Sequence, residues 1–100
     1  MPKSSKHINY YEAIIQLRPD HKEIREFIYR QLEKRGEWIS REVPLKTGLD
    51  LYASSQRTSR SLAPRIKKMF KAEIKVTRKL VTQEKMSGKK LYRATVLIRT

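Results

Sequence analysis

The chain has 100 residues, 38% of them hydrophobic, and a formal net charge of +14 with a pI near 10.4. That length supports one hydrophobic core and not two, since independent domains run to about 100–150 residues. The absence of cysteine excludes a disulfide framework, a thiolate metal site and a cysteine nucleophile, and the +14 charge makes a polyanion the natural partner.

Residues 1–7 read as a basic lead (Lys3, Lys6) to a single domain over 8–100. Tyr11, Ala13, Ile15 and Leu17 alternate with Tyr10, Glu12, Ile14 and Gln16, which predicts a strand with one apolar face, stopped at Pro19. Asp20 precedes Glu23 by three residues, the spacing of a reciprocal helix cap. In the helix that follows, Ile24, Phe27, Ile28 and Leu32 share one face, and Lys34, Arg35 and Gly36 supply cations and a left-handed stop. Its outward Glu23, Glu26 and Glu33 interleave with Lys22, Arg25 and Arg30, a solvated face rather than a binding surface.

Trp38, Ile39, Val43 and Leu45, a turn at Lys46, Thr47 and Gly48, and then Leu49, Leu51 and Ala53 alternating with Asp50 and Tyr52 predict a hairpin. Pro44 has no N–H for a ladder, so the first of these strands lies at an edge or breaks there. Ser54 and Ser55 are caps for a second helix with core residues Leu62, Ala63, Ile66, Met69 and Phe70. Pro64 either kinks that helix or sits in the first turn of one beginning near Ser61. In the tail, Ile74, Val76 and Leu80 lead to a turn at Lys85, Met86, Ser87 and Gly88, and Tyr92, Ala94, Val96 and Ile98 run back. The order β-α-β-β-α-β-β predicts an α+β fold, a ferredoxin-like antiparallel sheet with one extra strand and two helices on one face.

The charge is lopsided. Residues 1–50 hold ten Lys/Arg against eight Asp/Glu, whereas residues 51–100 hold fourteen against two, Glu73 and Glu84. An excess so concentrated repels itself in the folded state, and a nucleic acid explains it better than a thermophile's surface, where Glu interleaves with Lys. At 100° per residue, Arg57, Arg60, Lys67, Lys68 and Lys71 fall in a sector opposite Leu62 and Met69. Arg65 on the same helix, Lys75, Lys79 and Arg93 on the hairpin strands, and Lys85, Lys89 and Lys90 around the hairpin turn complete the candidate RNA-binding set. These cations are expected to form one continuous surface against a phosphate backbone, where neutralised phosphates release counterions.

Other chemistry has little support. Tyr10, Tyr11, Tyr52 and Tyr92 sit at strand positions, where packing is the commoner role than base stacking, and neither the basic-glycine-aromatic signature of an RNA-recognition motif nor a GxxG loop is present. His7 and His21 have no ligand or triad partner at a telling spacing, and Asp50 stands without a second carboxylate. An acylphosphatase-type enzyme needs a glycine-flanked anion loop that Arg18-Pro19-Asp20 does not resemble. The expectation is a non-enzymatic protein with no cofactor, metal or small-molecule substrate, and small chromatin-type binding to duplex DNA is the alternative to RNA. No apolar run approaches the roughly 20 residues of a membrane span and the start lacks a signal peptide's apolar stretch, so a cytoplasmic chain, monomeric when free, is expected.

Three runs, YYEAIIQLRP (10–19), GLDLYASSQRTSRSLAPRIKKMF (48–70) and EIKVTRKLVTQEKMSGKKLYRATVLIR (73–99), resemble the ribosomal large-subunit export adaptor family of archaea and eukaryotes, named after nonsense-mediated decay. The run Gly48 to Gln56 carries the motif core, supported by Lys79 to Glu84. The resemblance implies ribosomal RNA and large-subunit ribosomal proteins as partners, for either a structural component of the subunit or an assembly factor. It covers the family's central segment, so the family's zinc-binding region and later β-rich domains are not carried over, and Pro64 departs from the family's usual lysine, arginine or apolar residue.

Overall fold

The computed structural model describes residues 10–83 and 90–100. Seven elements follow in the order β1 (Ala13–Arg18), α1 (Lys22–Lys34), β2 (Ile39–Leu45), β3 (Gly48–Ala53), α2 (Gln56–Phe70), β4 (Glu73–Gln83) and β5 (Lys90–Arg99). That is the α+β order the sequence predicts. The lead over residues 1–7 and the hairpin turn at 85–88 lie outside the described residues.

The strands form one sheet in the order β2-β3-β1-β5-β4. The β2/β3, β1/β3 and β4/β5 pairs are antiparallel, while β5 lies beside β1 and runs parallel to it. The extra strand is accommodated by placing β5, not β4, next to β1, and the reversal of direction in the tail hairpin makes the otherwise antiparallel sheet mixed. Pro44 lies on β2, an edge strand, where its missing N–H costs no ladder bond inside the sheet.

Burial alternates along β1: Ala13, Ile15 and Leu17 are buried and Ile14, Gln16 and Arg18 are half-buried. Register extends each buried position into a row across three strands: Ala53-Ala13-Ala94, then Leu51-Ile15-Val96, then Leu49-Leu17-Ile98. Both helices cover that face, with Ile24, Phe27, Ile28 and Leu32 of α1 and Leu62, Ala63 and Ile66 of α2 completing the core. Each fully buried Leu or Ile is worth about 1.5–3 kcal/mol, so this face holds the fold together. The opposite face of the sheet has no layer over it among the described residues.

Local chemistry sets the helix ends, with one correction. The cap of α1 is His21, not Asp20: the helix starts at Lys22, so the His21 side chain accepts from the Ile24 N–H at 3.3 Å, and Asp20 pairs instead with Arg25 Nε at 3.2 Å. Gly36, at φ 71°, takes the left-handed stop as expected, and its N–H and that of Glu37 bond back to Glu33 and Leu32. The α2 cap is Ser55, which accepts from Thr58 N–H at 3.2 Å. Because the helix runs unbroken from Gln56, Pro64 lies in its interior, and a start near Ser61 is excluded.

Two further expectations fail. Met69 is 57% exposed rather than core, and in the last turn of α2 it is Phe70 that packs against the core. Val76 and Leu80 are 41% and 43% exposed: Val76 lies level with Ile15 through Val96 but on the edge strand β4, with no strand beyond it. β1 pairs with β5 only from Ala94 to Arg99, so the stretch around Leu80 and Tyr92, which pair with each other, is a two-stranded ribbon running past the body of the sheet.

Gly48 is where the β2–β3 turn meets the centre. It pairs with Leu45 across the two-residue turn of Lys46 and Thr47, and a Cβ placed on it would lie 1.8 Å from the Leu17 carbonyl oxygen. Only glycine lets β3 come that close to the end of β1.

Candidate nucleic-acid interface

The amphipathic spacing of α2 dictates that its cations face away from the core, and they do. Arg57, Lys67, Lys68 and Lys71 are exposed, Arg60 is half-buried, and none of the five has a carboxylate partner among the described residues. Arg60 is also the stripe residue set deepest, with its Nε buried and without a hydrogen-bond acceptor. The helix end reinforces the stripe. Lys67 and Lys68 occupy the last turn, where the carbonyl end of the dipole favours positive charge, and Lys71 caps the helix in a left-handed conformation at φ 53°.

No acid stands in the first turn of α2. The missing negative charge comes from the strand side: Glu12 Oε1 accepts the Gln56 N–H at 3.0 Å, and the Tyr10 hydroxyl donates to the same carboxylate. Burial, and then the bond to Glu12, push the Tyr10 pKa up to about 12, against the opposing pull of Arg93.

Arg65 belongs to a different contact from the stripe. Its guanidinium donates to Gln31 Oε1 at 3.1 Å and lies 5.2 Å from the Phe27 ring centre, bracing α2 against α1. Lys75 and Lys79 pair in register with Leu97 and Arg93, which puts all four on the open face of the sheet, opposite the helix layer. Lys85 and Lys89 lie outside the described residues, and of Lys90 only the strand position is described.

The expected single surface is therefore two surfaces: the α2 stripe on the helix layer and a second cationic group on the open sheet face. The physical reason is pleat alternation. Residues out of phase with a core that helices cover must point to the other side of the sheet. A cleft of about 490 Å³ at the start of β4 joins the two, lined by Lys67 from the helix and by Glu73, Lys75, Leu97 and Arg99 from the strands.

Further cations outside the candidate set also stand on the sheet: Arg99, which the sequence places out of phase with the core beside Lys75, Lys79 and Arg93, and Arg41 and Arg78, which sequence reading missed. Arg99 and Arg41 share the open face, since they pair with Glu73 and Tyr52. Arg41 was legible in the same way as Arg99, as a strand position out of phase with the core. Arg78 lies on the helix-side face of the ribbon, 4.5 Å from the Tyr92 ring centre, and only the length of the hairpin beyond β1 could have revealed it. Among the described residues no group of three or more His, Cys, Asp or Glu side chains is placed to hold a metal ion, and no helix is long and apolar enough to cross a membrane.

Residues 10–100 match a family model described as NMD3, second domain. No curated protein matches the chain.

Proposed function

The chain belongs to the NMD3 family, which is linked to the large ribosomal subunit and its export, and from that premise we propose that it binds large-subunit ribosomal RNA. In this reading it acts without catalysis, in the cytoplasm and as a monomer when free, with large-subunit ribosomal proteins as its other neighbours, either as a structural component or as an assembly factor. The observation that carries the reading is the α2 stripe: five cations on the side of the helix away from the core, with no carboxylate partner among the described residues. A stripe of that kind suits phosphate oxygens, because each phosphate that a lysine or arginine neutralises releases condensed counterions from the RNA into solution.

The test is sedimentation of the purified chain with large ribosomal subunits, comparing wild type with the triple variant Lys67→Glu, Lys68→Glu and Lys71→Glu. These three side chains are exposed, so the variant should keep its fold. Co-sedimentation is expected for the wild type and not for the variant. A variant that still travels with the subunit would refute the stripe as the contact, and a wild type that prefers genomic DNA in competition would favour chromatin binding instead.

A further inference from the structure

The open face of the sheet carries an arrangement that phosphate attraction alone does not require. Arg41 of β2 lies 5.0 Å from the centre of the Tyr52 ring, Tyr52 of β3 meets Tyr11 edge-on at 4.8 Å and 79°, and Arg93 of β5 lies 4.3 Å from the Tyr11 ring centre. The four side chains form a continuous row, Arg-Tyr-Tyr-Arg, across the sheet from its β2 edge to β5. With strands about 4.8 Å apart, three strand spacings give the row a span of roughly 14 Å. Neither arginine has a carboxylate partner among the described residues, and Arg93 Nε is buried with no acceptor.

We propose that this row is a binding platform for an unpaired stretch of RNA, whose bases stack on the arginine and tyrosine planes while the flanking cations hold its phosphates. The proposal rests on the RNA-binding reading above and adds which form of RNA this face takes. Three features favour that occupant. Each guanidinium lies over a tyrosine ring, Arg41 over Tyr52 and Arg93 over Tyr11, and both guanidinium planes and aromatic rings offer stacking to any base. Lys75 and Lys79 stand on the same face with no carboxylate partner. The one acid close to the middle of the face, Asp50, is neutralised by Arg18 at 2.7 Å. A duplex suits the face less well, because its bases are stacked on each other and its outer surface offers phosphates alone. An acidic protein segment would pair with the cations but has no use for the alternation of ring and guanidinium planes.

The experiment measures affinity of the full chain for a 12-nucleotide oligouridine and for a 12-base-pair RNA duplex. The variants are Arg41→Gln, Tyr52→Leu and, as a separate control on the other layer, Lys67→Gln/Lys68→Gln/Lys71→Gln. Arg41 is exposed on an edge strand, so its variant keeps the fold even where Tyr52→Leu loosens it. Tyr52→Leu should lose about tenfold in affinity for oligouridine, with a smaller loss for Arg41→Gln, and both should leave duplex binding within about twofold. A 5-iodouridine in the oligonucleotide should crosslink to Tyr11 or Tyr52. Equal losses on both RNAs, or unchanged oligouridine affinity in both face variants, would each overturn the platform. By contrast, wild-type chain that binds neither RNA, and a control variant without effect, would overturn the underlying RNA-binding reading.

Discussion

Neutralising Lys67, Lys68 and Lys71 with glutamine separates the binding role of the α2 stripe from its part in the fold. All three are exposed and lack a carboxylate partner among the described residues, so their charges are available to phosphates. If each meets one phosphate, the slope of log affinity against log salt should become shallower by about 0.7–0.9 per lysine, about 2–3 in all. Between about 50 and 200 mM salt the wild type should therefore lose roughly 20- to 40-fold more affinity than the variant, so that the two converge as salt rises. Stability should respond on a different scale. Lys67 and Lys68 sit in the last turn, where removing a favourable charge costs about 0.3–1 kcal/mol each, a fall of a few degrees in Tm. Fluorescence anisotropy with a labelled fragment of large-subunit ribosomal RNA, titrated at four or five salt concentrations, reads the slope, and thermal unfolding reads the rest. Parallel lines for wild type and variant would mean that these lysines touch no phosphate, and the assignment of the stripe would fall.

Two further outcomes follow from the scaffold. Gly48→Ala forces its Cβ to within 1.8 Å of the Leu17 carbonyl oxygen, so β3 must move away from β1, at a cost of about 2–4 kcal/mol; thermal denaturation should show Tm down by at least about 10 °C, and an unchanged Tm would contradict the close approach. For Tyr10, whose pKa is raised from 10.0 to about 12, the contribution to stability is fully present below pH 10 and lost as pH rises through 12, because the unfolded chain releases the phenolic proton first. Tyrosine absorbance should show one of the five residues ionising late in the native protein, and Tyr10→Phe should remove that late step and flatten the fall in stability above pH 10.

The sequence makes the order of elements legible because each one has a single dominant period: two along Ala13–Arg18, three-to-four along Lys22–Lys34 and Gln56–Phe70. Long-range geometry is less legible. Nothing in the tail hairpin says which of its strands will lie beside β1, and that choice makes the sheet mixed. Alternation identifies Lys75, Lys79 and Arg93 as sharing a face but does not say that α2 lies on the other one, so stripe and strand cations read as a single surface. Val76 and Leu80 look like core by the same rule, but β4 is an edge strand of the sheet, and at Leu80 it has run past the end of the β1–β5 pairing. The Arg41-Tyr52-Tyr11-Arg93 row joins residues far apart in the chain, and only register brings them together. His21 in place of Asp20 at the α1 cap is a shift of one residue, within the ambiguity of any helix boundary.

The lopsided charge acquires a structural meaning from where the acids go. In the first half, four carboxylates bond to other side chains or backbone of the chain: Asp50 with Arg18, Asp20 with Arg25, Glu42 with the Tyr29 hydroxyl, and Glu12 with Tyr10 and the start of α2. Both ion pairs join first-half partners, and no Lys or Arg of the second half is paired with a carboxylate among the described residues. Acid and base thus do different work. Removing Asp50 or Glu12 leaves a part-buried partner unsatisfied and should register in stability, whereas removing a second-half cation, Arg65 excepted because it braces α1, should register in binding. A merely solvated basic surface would give no such division, since its cations would contribute to neither.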